Sequence, residues 1–440
     1  MNTFIRPQKK KRNYIVIIST VLLIIISSIC YKMFLHSFKE FDMNIIDYMQ
    51  QRFTQNESFN KIILYFNYGN NIGMTCLIII IVFNFTNVYK SFLLFSMVSV
   101  CYYLSSLMKF FFQASTPYLD KEIGLFNNKD IKIFFCSLGY GNPSTDTLVI
   151  VPFYLSLWKI YHISKPKVNK KFKIFLLIID IILIVCLCTS TIISASNYFS
   201  QVIFSIICGL ALYFLVYYGL NPDLQDGREL YQIIKYKLYI YFLLYFFLFG
   251  ILFVVYFTVL KSKSNIKDTL EGCKVYNSEK VMFLINEKGE NHYIKGSFTL
   301  IGVFIANFFC IFAIKIELFF FFKGHKKNWI DFNFSQDKFD DDESNGNSIT
   351  ITKDAKWNNT TVCRSLIRLI ILLLLSSISL CPYIFVSWDN KFYFIFIVKL
   401  TLPIILFEFC MFCWFKRILK NSGFINPTIF ATSDEKRILG

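Results

Sequence analysis

Polar side chains at the ends of long apolar runs are costly to place, and here they recur in a pattern that can support chemistry. Lys109 closes one such run and leads, through six residues, to Thr116-Pro117. A second segment, Gly139-Tyr140-Gly141-Asn142-Pro143-Ser144-Thr145-Asp146, opens another run. A third, Ser190-Thr191, ends a run and is followed after five residues by Asn197 and after three more by Gln201. Lys109 is a cation able to hold an anionic oxygen, and Asp146 is a carboxyl able to pass a proton. Thr116, Ser144, Ser190, Thr191, Asn197 and Gln201 offer hydroxyls and amides for polar contacts. Taken alone, Lys109 reads as a lysine snorkelling to the interface.

Other chemistries lack their residues. The four histidines, His36, His162, His292 and His325, lie apart, with no second histidine or acid at ligand spacing. Neither a metal site nor a Ser–His hydrolase is expected, and no cofactor is implied. The 13 cysteines are scattered without a CxxC and read as small apolar residues. Cys136 and Cys273 form the one pair that the expected topology places outside the membrane on the same side.

The elements that must position these residues are membrane helices. Hydrophobic residues make up 55% of 440, and 52 residues are Phe. A soluble domain has too little polar surface to cover that content. Apolar runs able to cross a hydrocarbon slab of roughly 30 Å recur at 14–34, 68–88, 91–112, 146–162, 172–190, 199–219, 236–260, 297–322, 364–386 and 392–415. The fold class expected is therefore all-α: a polytopic helical membrane protein with about ten spans.

A net charge of +17 does not point to nucleic acid, because the lysines cluster in short loops. Lys9, Lys10, Lys11 and Arg12 precede the first span, Lys165, Lys167, Lys170 and Lys171 crowd a later loop, and Lys416, Arg417 and Lys420 follow the last span. Loop parity puts all three clusters on one side, so both termini are expected in the cytosol. The opposite side carries a polar loop, 35–67, with Glu40, Asp42, Asp47 and the sequon Asn56-Glu57-Ser58. The first run follows a basic stretch but is long and lacks a small-residue cleavage pattern, which favours a retained signal anchor.

No internal repeat is evident. Residues 331–360, with Asp340, Asp341, Asp342 and Glu343 among Ser, Asn and Gly, are expected to form a disordered cytosolic loop. Residues 261–296 form a polar loop on the other side. Within spans, Asp180, Lys315, Glu317, Lys399 and Glu408 are costly. Lys315 and Glu408 fall at matching depth, as a structural ion pair or as part of a polar pathway. Pro152, Pro382 and Pro403 mark kinks rather than sites.

The three segments resemble the three motifs of the type 2 phosphatidic acid phosphatase superfamily, KxxxxxxRP, PSGH and SRxxxxxHxxxD, with the sphingosine-1-phosphate phosphatases as the nearest branch. In this sequence they read Lys109-x6-Thr116-Pro117, Pro143-Ser144-Thr145-Asp146 and Ser190-Thr191-x5-Asn197-x3-Gln201. The resemblance spans about residues 40–220. It implies a PAP2-like six-helix core over 14–220, preceded by a basic cytosolic N-terminus, 1–13, and followed by additional spans over 221–440. Loop parity places the motifs on the lumenal face, and the resemblance places the protein in the endoplasmic reticulum or another endomembrane. The membrane lipid it implies as partner is phosphorylated: a sphingoid base phosphate or phosphatidate.

The resemblance also implies what is missing. In that family the third-motif histidine attacks phosphorus, an acid orients it, the second-motif histidine protonates the leaving alcohol, and Lys and two Arg hold the phosphate. Lys109, Ser144 and Ser190 are kept, whereas Thr116 and Thr191 replace the arginines. Asp146 stands at the general-acid position, Asn197 at the nucleophile and Gln201 at its orienter. An amide lone pair is delocalised, so Asn197 cannot attack. The expectation is a catalytically inactive, lipid-binding or scaffolding homologue. The alternatives are an active phosphatase with a rewired site, using Asp146 as acyl-phosphate nucleophile, and a secondary transporter or lipid-moving protein. The oligomeric state is not legible.

Overall fold

A computed structural model describes residues 14–53, 72–85, 88–117, 140–164, 169–220, 238–261, 301–309, 362–378 and 402–407, with isolated positions between 54 and 71 and at 311. The described residues form helices joined by turns. In order they are α1 (Tyr14–Phe53), α2 (Ile72–Phe85), α3 (Val88–Phe112), α4 (Thr145–Ser164) and α5 (Lys170–Ile193). Next come α6 (Phe199–Phe214), continued by a π-helical turn (Leu215–Leu220), then α7 (Leu238–Lys261) and α8 (Val362–Ile378). Four stretches among the described residues are long and apolar enough to cross a membrane: Tyr14–Phe34, Ser91–Phe112, Lys170–Ile193 and Phe199–Gly219. Helix α4 coincides with another expected span, but Asp146, Ser156 and Lys159 hold its hydropathy down. The basic clusters at 9–12, 165–167 and 416–420, the sequon at Asn56, Cys136, Cys273, His292, His325, Lys315, Glu317, Lys399, Glu408 and the 331–360 segment lie outside the described residues.

One expectation is corrected. Residues 35–67, between the first two expected spans, are expected as loop, yet α1 runs on to Phe53. Forty residues of helix reach roughly 60 Å, about twice the hydrocarbon slab, so its last turns stand clear of it. There its polar residues serve other helices: Gln50 Nε2 donates to Ile193 O at 2.7 Å at the end of α5, and Asp42 accepts from Ser200 at the start of α6. Within the apolar part, Thr20 and Ser28 donate to Val16 O and Ile24 O at 2.7 and 2.6 Å. Hydroxyls turned back onto their own helix are tolerated by a hydrocarbon solvent.

The centre of the bundle is α4, which packs on α3, α5 and α6, while α1 lies against α6 and α5. Gly209 allows the closest approach: a Cβ there would lie 3.1 Å from Pro152 Cδ and Val151 Cβ. Small residues let membrane helices meet backbone to backbone, where dispersion rather than water expulsion holds them. Pro152 has no backbone N–H to donate within α4, and it is there that Gly209 of α6 comes closest to it.

The later helices dock on α2 and α3 through polar seams. Asn307 Nδ2 donates to Tyr245 Oη at 2.9 Å, and Tyr103 Oη on α3 donates to Leu248 O on α7 at 2.8 Å. Phe304 stacks on Tyr245 at 4.5 Å and lies against Tyr103 at 4.6 Å. Arg368 of α8, 1% exposed, gives Nε to Asn84 Oδ1 at 2.5 Å and Nη2 to Asn84 O at 2.7 Å. That carbonyl belongs to the last turn of α2, whose C=O groups have no partner within the helix, and a cation is favoured there.

Candidate functional site

The three polar segments meet at one end of the bundle. Helix α3 stops when Gln113 turns left-handed, φ 50°, with its N–H on Lys109 O at 2.9 Å. The chain then runs on through Ala114, Ser115 and Thr116. Against it lies the segment before α4, with Gly141 N donating to Ala114 O at 2.8 Å. Lys109, 4% exposed, sends Nζ to Tyr140 O at 2.6 Å.

Between α5 and α6 the turn is closed by Ala195, φ 54°, a left-handed residue just past the helix end. Thr191 O accepts Ser196 N at 3.1 Å, Ser196 Oγ at 2.8 Å, Ser194 Oγ at 3.1 Å and Asn197 N at 3.3 Å. One carbonyl therefore anchors the whole turn.

Gln201 joins all three segments. Its Oε1 accepts Tyr198 N at 3.1 Å, and its Nε2 donates to Ser115 O at 2.9 Å. A Cβ on Gly141 would sit 2.7 Å from both Gln201 Nε2 and Ser115 O. Only glycine admits that approach.

The expected site residues divide by what they do. Lys109, Thr116, Asp146 and Gln201 stand on the segments that converge. Lys109 and Asp146 are close enough to attract one another electrostatically. Asp146 is half-buried in the first turn of α4, where the helix dipole favours an anion. Ser144 Oγ donates to Thr147 Oγ1 at 3.1 Å, within its own helix start. Ser190 and Thr191 turn their hydroxyls back to Leu187 O and Cys188 O at 2.7 and 2.8 Å, so both donate into α5. Asn197 is buried, and its Nδ2 reaches Ser196 Oγ at 3.4 Å; no hydrogen bond ties it to Lys109, Ser144 or Asp146.

Thr116 and Asn142 are different. Both are 0% exposed, and Thr116 Oγ1 with both side-chain polar atoms of Asn142 has no hydrogen-bond partner among the described residues. Asn142 stands between Gly141 and Pro143, joined to Pro143 by a cis peptide. Its residue type and position in the sequence carry no sign of this role, which its neighbours in the fold create. Tyr140, Ser115 and Gly141 were also missed as contributors, because they act through backbone atoms that sequence does not advertise.

Residues 90–223 match the PAP2 superfamily. All eight expected site residues lie inside that PAP2 match. One solved structure similar to this chain is the crystal structure of the first transmembrane PAP2 type phosphatidylglycerolphosphate phosphatase from Bacillus subtilis. It shares 15% identity at a TM-score of 0.38, over 45% of this chain and 92% of that one. No curated protein matches the chain.

Among the described residues at this site no nucleophile sits beside a base, and the hydroxyls of Ser190 and Thr191 are directed into their own helix. The two formal charges, Lys109 and Asp146, are of opposite sign. An anion entering here gains one cation and meets one carboxylate.

Proposed function

We propose that this chain is a phosphatase-like integral membrane protein that binds lipid at the converged polar site and has lost phosphohistidine chemistry. The observation that carries this reading is Asn197. It occupies the nucleophile position that the motif resemblance assigns, yet its amide nitrogen has no free lone pair, and among the described residues it is hydrogen-bonded within its own turn. Loss of both arginines, at Thr116 and Thr191, removes charge-assisted phosphate contacts of about 1.5–3 kcal/mol each. The nearest branch by motif order, the sphingosine-1-phosphate phosphatases, suggests a sphingoid or glycerol lipid as the ligand. A six-helix core over 14–220 with appended spans over 221–440 fits the PAP2 match at 90–223. The basic clusters favour cytosolic termini and a lumenal site, and the resemblance favours the endoplasmic reticulum or another endomembrane as the membrane.

The test is phosphate release by purified protein from sphingosine-1-phosphate and from phosphatidate, beside a Lys109→Ala, Asp146→Ala double variant. No turnover above the variant, in folded protein, is expected. Turnover that the double variant abolishes would establish the second reading, a rewired enzyme with Asp146 as nucleophile. That reading is favoured by one feature: Asp146 is half-buried rather than sealed, with Lys109 near enough to stabilise its charge.

A further inference from the structure

We propose that the site recognises a neutral, hydroxyl-bearing lipid head rather than a phosphate, with Asn142 and Thr116 as the recognising side chains. The inference rests on the lipid-binding reading above and names the ligand class it takes. Gly141 N on Ala114 O, at 2.8 Å, holds the two segments side by side, so Asn142 and Thr116 each follow closely on that bond. Both side chains are fully buried, and their three polar atoms have no partner. A folded chain rarely leaves such atoms unmet, and a site that completes their hydrogen bonds on binding is one reason it does.

The unmet atoms are of mixed kind. Asn142 Nδ2 is a donor, Asn142 Oδ1 is an acceptor, and Thr116 Oγ1 is both. A doubly ionised phosphate offers acceptors only, so it leaves Asn142 Oδ1 without a hydrogen. It also sets negative charge near Asp146, while Lys109 is already engaged with Tyr140 O. An alcohol gives its hydrogen to Oδ1 and takes one from Nδ2 or from the threonine, and it disturbs neither charge. Thr116 lies four residues past the end of the Ser91–Phe112 span, at the depth of lipid head groups. A diacylglycerol-like or ceramide-like lipid presents its hydroxyl there.

The experiment measures binding to full-length protein in nanodiscs, with dioctanoylglycerol, dioctanoylphosphatidate and glycerol as probes, beside the melting temperature of each variant. Dioctanoylglycerol should bind saturably and at least about tenfold more tightly than the phosphatidate. Asn142→Ala and the near-isosteric Thr116→Val should each weaken it about tenfold without lowering the melting temperature, because no existing bond is removed. Tighter binding of the phosphatidate overturns the neutral class and leaves the lipid-binding reading standing. Glycerol binding as well as dioctanoylglycerol overturns the lipid assignment in favour of a free polyol. Variants that lose stability but keep the affinity show a structural role, and overturn the inference. Failure of every lipid to bind folded protein overturns this inference and the lipid-binding reading together.

Discussion

Asp42, on the part of α1 that outlasts the membrane, caps α6 at Ser200. Its carboxylate takes the Ser200 backbone N–H at 2.9 Å and the Ser200 hydroxyl as well. The first N–H groups of a helix lack partners within it, and an anion there also meets the positive end of the dipole. Asp42→Ala should therefore cost about 1–2 kcal/mol, the range of a helix N-cap, read as a lowered melting temperature of the purified protein. An unchanged midpoint would show that α6 starts without this bond.

The same carboxyl gives a pH dependence. Burial raises it above its ordinary value of 3.8, against the opposing pull of the two Ser200 bonds. The folded chain then holds the proton more tightly than the unfolded chain does. Stability from this group is fully present below the unfolded value and is lost as pH rises through the raised folded value. Stability curves of the wild type and Asp42→Asn should diverge across that window and run parallel above it. Parallel curves throughout would remove Asp42 as the titrating group.

Gly141→Ala should be among the most damaging single changes in the PAP2 segment. Its Cβ would lie 2.7 Å from the Ser115 carbonyl, which is backbone and cannot swing aside. Overpacking of this kind costs about 1–3 kcal/mol, read as loss of folded protein on size exclusion and a lowered melting temperature. A variant as stable as the wild type would show that the three segments do not meet this closely.

Gln201 tests whether that junction depends on an amide. Glutamate keeps an acceptor for Tyr198 N but has no hydrogen for Ser115 O. Gln201→Glu should therefore destabilise by about 1–3 kcal/mol, the cost of leaving a buried group unmet, although the shape is unchanged. Equal stability of the two chains would remove the Ser115 bond from the account.

Lys109 and Asp146 should couple. Lys109→Met leaves the Asp146 carboxylate without its cation, and Asp146→Asn leaves the lysine without its anion. The double variant should be less damaged than the sum of the singles, by about 0.5–3 kcal/mol in a thermodynamic cycle. Strict additivity would place the two groups too far apart to act together.

The membrane character of this chain was legible because apolar runs are a local property, and each span shows itself without reference to the others. The order of the polar segments was legible for the same reason, and it anticipated the family match over 90–223. Other features escaped. The polar residues at 35–53 look like loop because the partners of Gln50 and Asp42, at the end of α5 and the start of α6, lie 143 and 158 residues away in sequence. Gln201 was taken as the stand-in for a residue that orients a nucleophile. It instead ties Ser115 and Tyr198 together, which depends on the packing of α6 against the end of α3.

The residue types at positions 116, 146, 191 and 197 are settled by sequence alone. No packing turns the amide nitrogen of Asn197 into a nucleophile, because its lone pair is delocalised whatever surrounds it. Which of the remaining polar atoms are paired was decided only by the fold. Ser190 and Thr191 point their hydroxyls into their own helix, Lys109 finds the Tyr140 carbonyl, and Asn142 and Thr116 are left buried with nothing to bond. Hydrogen-bond satisfaction depends on neighbours within about 3 Å, and those neighbours are brought by helices far apart along the chain.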